Sequence, residues 1–156
     1  MRGDNVLTGY YEDEEATKEA FKGGWFHSGD LGVMHPDGYV ELRDRLKDVV
    51  ISGGENIATI EVEQALNAHP AVAEAAVVGA PDERWGEVPV AFVTTNGKEN
   101  PDPEELRDFV RERIARFKAP KRIDIVDELP KTGTGKIQKF VLREKAAENA
   151  KEGAKA

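Results

Sequence analysis

The chain has 156 residues, of which 39% are hydrophobic and 33% are charged, and its formal net charge is −8. This composition is typical of a folded globular protein rather than a disordered one, and the length is short for two full domains. The absence of cysteine excludes disulfides and thiolate zinc sites. No apolar run could span a bilayer and the first residues lack a signal-peptide core, so we expect a cytoplasmic protein without a transmembrane segment.

Charge is distributed unevenly along the chain. Residues 107–156 carry 14 basic and 8 acidic side chains, whereas residues 1–44 carry 4 basic and 10 acidic ones. A basic final third suits a small polyanionic ligand, and helices with solvated faces of mixed charge explain the same pattern equally well. We do not expect a nucleic-acid partner, because aromatic residues are few in this region and the whole chain is acidic.

The first third of the chain predicts short elements. Val6–Tyr11 is typical of a short strand, the acidic run from Glu12 leads into a helix through Phe21, and Tyr39–Leu42 alternates as a strand does. The charged run Arg43–Asp48 that follows is typical of a solvated connection between strands.

The segment Ser28–Asp30 is predicted to form a turn. A carboxylate held in such a turn can accept two hydroxyl hydrogens, as on a ribose, and an ordinary Asx turn is the simpler alternative. The three histidines of the chain show no spacing of the kind that metal ligands have, so we expect no metal site.

Strands alternate with helices from Lys47 onward, which predicts a small α+β domain. The glycine loop Ser52–Ile57 precedes a helix that Thr59 can cap, and Pro89 predicts that its strand begins late or lies at a sheet edge. The further predicted strands are Ala75–Val78, Val88–Val93 and Arg122–Val126.

A helix with a strong start signal is predicted near residue 102. Asp102 can cap its N-terminus, with Pro103 at the first helical position and Glu105 at the third. We expect its apolar face in the core, and the residues with that spacing are Leu106, Phe109, Val110, Ile114 and Phe117. A last helix is predicted at 138–149, with a frayed tail at 151–156.

The segment Leu129–Lys139 places one lysine, Lys136, in a loop rich in Gly and Thr. Glycines allow a ligand to approach the backbone closely, and an ammonium on a flexible stem can deliver positive charge to an anion. An exposed turn with a solvated lysine is an equally good interpretation of these residues alone. A Walker phosphate loop is excluded, because Pro130 stands where its first Gly belongs and Ile137 replaces Ser or Thr.

Leu129–Lys139 resembles the lysine loop near the C-terminus of acyl-CoA synthetases, which belong to the adenylate-forming, AMP-binding enzyme superfamily. Other segments resemble motifs of the same family and occur in family order: Trp25–Asp30, Asp44–Asp48 and Ser52–Ile57. Ser28 stands where the family more often has Thr, and Thr59 where it usually has Pro. The resemblance covers nearly the whole chain.

The resemblance implies a domain boundary and site residues. The expected fold class is α+β: a small C-terminal domain with a β-hairpin and a short mixed sheet flanked by helices, preceded by the end of a larger N-terminal domain. Residues 1–46 would close the N-terminal adenylation domain, and residues 47–156 would form the mobile C-terminal domain. The implied roles are catalysis for Lys136, nucleotide binding for Asp30 and Arg45, the hinge for Lys47, and coenzyme A binding for Gly53 and Gly54.

The resemblance also implies a function for the full-length enzyme. It would join a carboxylic acid, expected to be a fatty acid, to ATP (with Mg) and then transfer the acyl group from the adenylate to coenzyme A. Its partners would be these small molecules and the N-terminal domain missing from this chain, which alone should be inactive. The alternative is a stand-alone nucleotide-binding, coenzyme A-binding or regulatory module that acts with a separate adenylation domain. Thr134–Lys139 disfavours a third interpretation, the tail of a peptide-synthetase adenylation domain.

Overall fold

The computed structural model describes residues 1–97 and 101–153, with side chains up to residue 150. These residues fall into two units, Met1–Lys47 and Asp48–Ala156, each held together by its own contacts. Within the described part of the chain, no helix combines the length and the apolar character needed to cross a membrane.

The first unit contains one helix and a two-stranded antiparallel hairpin. Helix α1 (Glu14–Ala20) begins where Oδ1 of Asp13 accepts a hydrogen bond from the backbone N–H of Ala16 at 2.9 Å, which satisfies one of the donors that every helix start leaves open. Strands β1 (Asp30–Met34) and β2 (Val40–Arg45) pair with each other.

Two sequence predictions for this unit are wrong. Within the described stretch 1–97, Val6–Tyr11 forms no strand, although Tyr10 makes an isolated bridge with Asp13. Strand β2 does not end before the charged run but continues through Arg43 to Arg45. Almost every residue of the hairpin strands is exposed, so consecutive charged side chains remain hydrated there and the strand can continue.

The first unit has no core of its own. None of the residues 1–47, all of which are described, is buried. Large apolar side chains are exposed instead: Tyr11 is 91% exposed, Met34 74% and Tyr39 76%. Burial of apolar surface is the main favourable contribution to folding, and this unit gains little of it by itself.

The second unit is built on a five-stranded mixed sheet. Its strands are β3 (Val50–Ser52), β4 (Glu55–Ile57), β5 (Val72–Asp82), β6 (Gly86–Thr95) and β7 (Arg122–Ile125). They lie in the order β4-β3-β6-β5, and β7 also pairs with β6. The pair of β6 and β7 is parallel, and the other pairs are antiparallel. Strand β6 is therefore central.

Helices cover both faces of this sheet. They are α2 (Thr59–Asn67), α3 (Pro103–Arg111) and α4 (Lys139–Gly153). Successive side chains of a strand point to opposite faces, and β5 accordingly contributes to two cores. Val77 packs in the core formed with α2 and α3, whereas Val78 packs with Leu142 and Ala146 of α4. The predicted α+β class, with a short mixed sheet flanked by helices, is confirmed.

Helix α3 starts as predicted and ends earlier than the apolar pattern indicates. The side chain of Asp102 accepts a hydrogen bond from the N–H of Glu104 at 3.2 Å, and Pro103 is the first helical residue. The helix ends at Arg111, and Phe117 lies in a short 3-10 helix, 53% exposed. The prediction that Phe117 is a core residue is wrong, because helical spacing places residues on one face only while the helix continues.

Pro89 lies inside β6, which begins at Gly86 and is the central strand, so the predicted late start or edge position is wrong. The carbonyl oxygen of Pro89 accepts a hydrogen bond from the N–H of Lys121 at 2.8 Å. On the edge of β6 that carries this carbonyl group, β6 pairs with β3 at Gly86 and with β7 from Val90 onward. The proline nitrogen, which has no hydrogen to donate, falls in the gap between these two neighbours.

The start of α2 and the end of α4 also differ from expectation. Thr59 is not the cap of α2: Ala58 occupies that position and makes no side-chain cap, and Thr59 is the first helical residue. The Oγ1 of Thr59 is instead buried and accepts a hydrogen bond from Nζ of Lys139 at 2.8 Å, a contact that sequence spacing cannot predict. Helix α4 extends beyond the predicted range to Gly153, and residues 154–156 of the predicted tail lie outside the described residues.

Candidate functional site

The loop that carries Lys136 is a small, hydrogen-bonded hairpin. Lys131 and Ile137 form a bridge, and the N–H of Thr132 donates to the carbonyl of Lys136 at 2.8 Å. Gly135 has φ +83°, a backbone conformation that favours glycine, and its N–H donates to the carbonyl of Thr132 at 2.9 Å. The Oγ1 of Thr132 also accepts from the N–H of Lys136 at 3.1 Å. The backbone at Lys136 is therefore held from both sides.

The charge of Lys136 is not neutralised by the protein around it. Lys131 pairs with Glu74 at 2.7 Å, and Lys139 pairs with Glu63 at 2.7 Å. Lys136 lies between these two lysines, is exposed, and has no ion-pair partner among the described side chains of residues 1–97 and 101–150. Its ammonium group is available to an anionic ligand.

The two glycines of the predicted loop form the turn between β3 and β4, and they have different roles. Gly53 has φ +59°, and a Cβ built on it would lie 2.6 Å from Cε3 of Trp85, whose carbonyl accepts the N–H of Gly53 at 2.9 Å. Gly54 has φ +88°, and a Cβ there would meet nothing within 4 Å. Gly53 thus makes room for the Trp85 ring, whereas Gly54 leaves open surface for a ligand.

A cavity of 330 Å³ lies beside this turn. Two aromatic residues, four cationic residues and one carboxylate line it, together with apolar residues and parts of the turn: Trp85 and Phe117; Arg107, Arg111, Arg116 and Lys121; and Glu55. Arg107 pairs with Glu104, and Arg111 pairs with Asp108 at 2.9 Å. Arg116 and Lys121 have no ion-pair partner among the described side chains, which end at residue 150. Cations beside aromatic faces suit a ligand that carries both phosphates and a planar ring.

Sequence reasoning did not identify the cations and Phe117 of this cavity. Arg107 and Arg111 are four residues apart and therefore share one face of α3, a signal that was available from the sequence. That face looks like an ordinary solvated helix surface, however, and Phe117 was assigned to the core. Trp85 belongs to the connection between β5 and β6, so only tertiary structure brings it to the same place.

The structure brings Asp30 and Arg45 of the first unit together. They are paired residues of the β1–β2 hairpin, and Nε of Arg45 lies 3.6 Å from Oδ1 of Asp30. Asp30 is the first residue of β1 rather than part of a free turn, and the Oγ of Ser28 accepts its N–H at 3.3 Å. Lys47 lies in a short 3-10 helix, Leu46–Asp48, at the junction of the two units.

The described residues include no group of three or more His, Cys, Asp or Glu side chains placed to hold a metal ion.

The two glycines of the turn predict different effects of the same substitution. Gly54→Ala should cost about 1 kcal/mol in the free energy of unfolding, because a non-glycine residue is strained at positive φ. Gly53→Ala should cost more, because the added methyl group also displaces the Trp85 ring. Urea unfolding measures the cost, and tryptophan fluorescence in a Trp25→Phe background reports Trp85 alone. A change of Trp85 emission in the Gly54 variant but not in the Gly53 variant would contradict this assignment.

Comparison with known proteins places the chain in a family. Residues 61–136 match the AMP-binding enzyme C-terminal domain. The acetate/butyrate–CoA ligase AAE7, peroxisomal, of Arabidopsis thaliana is 52% identical over 153 residues, which are 95% of this chain and 27% of that protein. The chain spans about a quarter of the length of the curated relatives that it matches.

Two solved structures have the same fold over most of this chain. One is ATP-bound MatB from Rhodopseudomonas palustris, at 39% identity and a TM-score of 0.86, covering 92% of this chain and 29% of that one. The other is the o-succinylbenzoate CoA synthetase MenE from Bacillus subtilis in complex with the acyl-adenylate intermediate OSB-AMP, at 40% identity and a TM-score of 0.84, covering 91% and 29%. This chain contains the AMP-binding enzyme C-terminal domain and belongs to the adenylate-forming superfamily.

Proposed function

We propose that this chain is the C-terminal part of an AMP-forming acid–thiol ligase. The full-length enzyme would join a carboxylic acid to ATP, release pyrophosphate, and transfer the acyl group from the adenylate to coenzyme A. The Arabidopsis relative, which is 52% identical over the 153 aligned residues, is named as a CoA ligase, and the MenE neighbour was solved with an acyl-adenylate. The chain alone should be inactive, since it spans about a quarter of such relatives.

The observation that carries this proposal is the unpaired charge of Lys136 between two paired lysines. The attacking carboxylate and the α-phosphate of ATP are both anionic. Two unit charges 4 Å apart repel by about 4 kcal/mol at an effective dielectric constant of about 20. An ammonium positioned between them offsets this repulsion and stabilises the charge that develops on the bridging oxygen. We therefore propose Lys136 as the catalytic residue.

Asp30 and Arg45 are the proposed nucleotide contacts. The carboxylate of Asp30 can accept hydrogen bonds from two ribose hydroxyls, and the guanidinium of Arg45 can donate to an acceptor on the same nucleotide. Their position as paired residues of one hairpin supports a joint role, because a single ligand can reach both. Mg would accompany ATP, and we assign no residue of this chain to it.

The cavity beside Gly53 supports coenzyme A as the thiol. Its unpaired cations, Arg116 and Lys121, suit the phosphates of the nucleotide end, and the rings of Trp85 and Phe117 suit the adenine. The open surface at Gly54 would leave room for the narrow pantetheine arm, while Gly53 would act by leaving space for the Trp85 ring. A carrier protein presents no nucleotide and would leave this cavity unused.

Lys47 is the proposed hinge between two functional orientations of the C-terminal domain. We propose residues 1–46 as the terminal segment of the N-terminal adenylation domain and residues 47–156 as the mobile domain. The division into two units at Lys47 supports this boundary, and the lack of buried residues in the first unit is expected of a segment that completes a larger domain.

We propose a fatty or other aliphatic carboxylic acid, since the Arabidopsis relative is named for acetate and butyrate. The cytoplasmic location expected from the sequence stays a prediction, because that relative is named as peroxisomal.

The substitution Lys136→Ala in the full-length enzyme separates catalysis from folding. Adenylation, measured as ATP–pyrophosphate exchange, should fall about 10²–10³-fold, because the two anions then meet without the compensating charge. Thioester formation from supplied acyl-adenylate should persist, and stability should change by less than about 0.5 kcal/mol at this exposed site. Lys145→Ala removes an exposed lysine of α4 as the matched control. Equal loss of both half-reactions in a folded Lys136 variant would refute the assignment.

The hinge is tested by Lys47→Pro in the same enzyme. Proline fixes φ near about −65° and removes the backbone N–H, so rotation at this position is restricted. We expect thioester formation to decrease more than adenylation, as measured by the two separate half-reaction assays. If both decrease by the same factor, Lys47 is not the hinge.

Arg116→Ala tests the cavity. The loss of one charge-assisted hydrogen bond, worth about 1.5–3 kcal/mol, should raise the KM for coenzyme A about 10–100-fold. The KM for pantetheine, which lacks the nucleotide, should stay unchanged. Arg113→Ala is the control, because its guanidinium lies 3.3 Å from the ring centroid of Phe109 and does not line the cavity. An equal effect on both thiols would exclude the cavity as the nucleotide site.

A further inference from the structure

Three ion pairs attach the lysine loop and the first turns of α4 to the rest of the second unit. Lys131 pairs with Glu74 before the loop, and Lys139 pairs with Glu63 after it. One turn further along α4, Arg143 pairs with Asp48. These are contacts between residues distant in the chain: 57 residues separate Glu74 from Lys131, and 95 separate Asp48 from Arg143.

The pair of Lys139 and Glu63 fixes the end of the loop. Glu63 is 8% exposed, and its Oε1 also accepts the N–H of Val77 in β5 at 2.8 Å. The Nζ of Lys139 donates in addition to Oγ1 of Thr59 at 2.8 Å. A buried carboxylate with this many donors has little freedom to move. Because Lys136 precedes Lys139 by three residues, the loop is anchored to α2 and β5 close to its functional residue.

The pair of Arg143 and Asp48 attaches α4 to the chain next to Lys47. Asp48 directly follows Lys47, and its side chain is 12% exposed. Two residues later the chain enters β3, where Val50 is 1% exposed and pairs with Ile57. Without the ion pair, the two residues between Lys47 and the sheet could flex independently of the unit. With it, the first residue after Lys47 is bound directly to α4.

One face of α4 carries both Lys139 and Arg143. Lys139, Leu142, Arg143 and Ala146 follow the spacing of one helix face, and Leu142 and Ala146 are buried against the sheet. Lys139 and Arg143 are one turn apart, which is about 6 Å along the axis. A helical segment is stiff over this distance, so it holds the loop and Asp48 at a constant separation.

We propose that Arg143 is a positioning residue, which couples the junction at Lys47 to the lysine loop through the first turns of α4. This inference rests on the proposed function, because it assumes that Lys136 acts in adenylation and that Lys47 is the hinge. Rotation at Lys47 would then carry Lys136 to a defined place. The Gly54 turn needs no such connection, because it directly follows β3. Adenylation therefore depends on the ion pair more than thioester formation does.

The test uses Arg143→Gln, Asp48→Ala and the double variant in the full-length enzyme. A misplacement of about 1 Å can cost about 10²-fold in rate, and we expect each single variant to lower the kcat of ATP–pyrophosphate exchange at least about tenfold. The KM for ATP should change little, and thioester formation from supplied acyl-adenylate should fall less. The double variant should be no slower than the slower single one, because both remove the same interaction.

The matched control is Lys118→Gln, which removes the ion pair of Lys118 with Glu61. This pair also joins distant residues of the second unit, but it involves neither α4 nor the lysine loop. Thermal unfolding is measured for every variant, and Asp48→Asn, which removes the charge of the partner, serves if Arg143→Gln does not fold. Additive effects of the two substitutions, or an equal loss of kcat in Lys118→Gln, would overturn the inference. If Lys136→Ala retains exchange, the proposed function itself fails. If Lys136→Ala loses exchange and Arg143→Gln keeps it, only this inference fails.

Discussion

Strand β6 hydrogen-bonds to three other strands, and the positions of the functional segments of the second unit depend on that pairing. Trp85 immediately precedes it, the Gly53 turn follows its neighbour β3, and Lys121 precedes its neighbour β7. The lysine loop lies between β7 and α4, the helix that packs against the sheet. Because β6 has helices on both faces and partners on both edges, these loop ends start from a rigid frame. Loops that begin at fixed points can hold side chains at defined separations.

Paired and unpaired charges have different roles in this unit. Removing one partner of a buried ion pair typically costs about 3–5 kcal/mol, whereas an exposed lysine contributes little to stability. The Glu63–Lys139 pair therefore supports the fold near the loop, and Lys136 remains available for a ligand. The same distinction holds in the cavity, where Arg107 and Arg111 have carboxylate partners and Arg116 and Lys121 have none in the described ranges. Paired and unpaired cations lie side by side.

Errors of the sequence predictions have specific physical causes. Phe117 has the spacing of an apolar helix face, but α3 ends at Arg111 and the ring reaches a ligand-sized cavity instead. Pro89 suggested an edge, but its missing N–H falls in a gap between two neighbouring strands. Thr59 has the composition of a cap, yet its hydroxyl binds Lys139, 80 residues away. In each case a local preference was overridden by a partner that is distant in sequence.

The sequence by itself determined the α+β class, the capped start of α3 at Asp102, and the Gly/Thr loop around Lys136, because these depend on periodicity, caps and glycines within a few residues. Only the tertiary structure decided which lysines are paired, which glycine accommodates Trp85, and which residues line the cavity. These features join segments far apart in the chain. Their geometry follows from how helices and strands pack, and no spacing within the sequence encodes it directly.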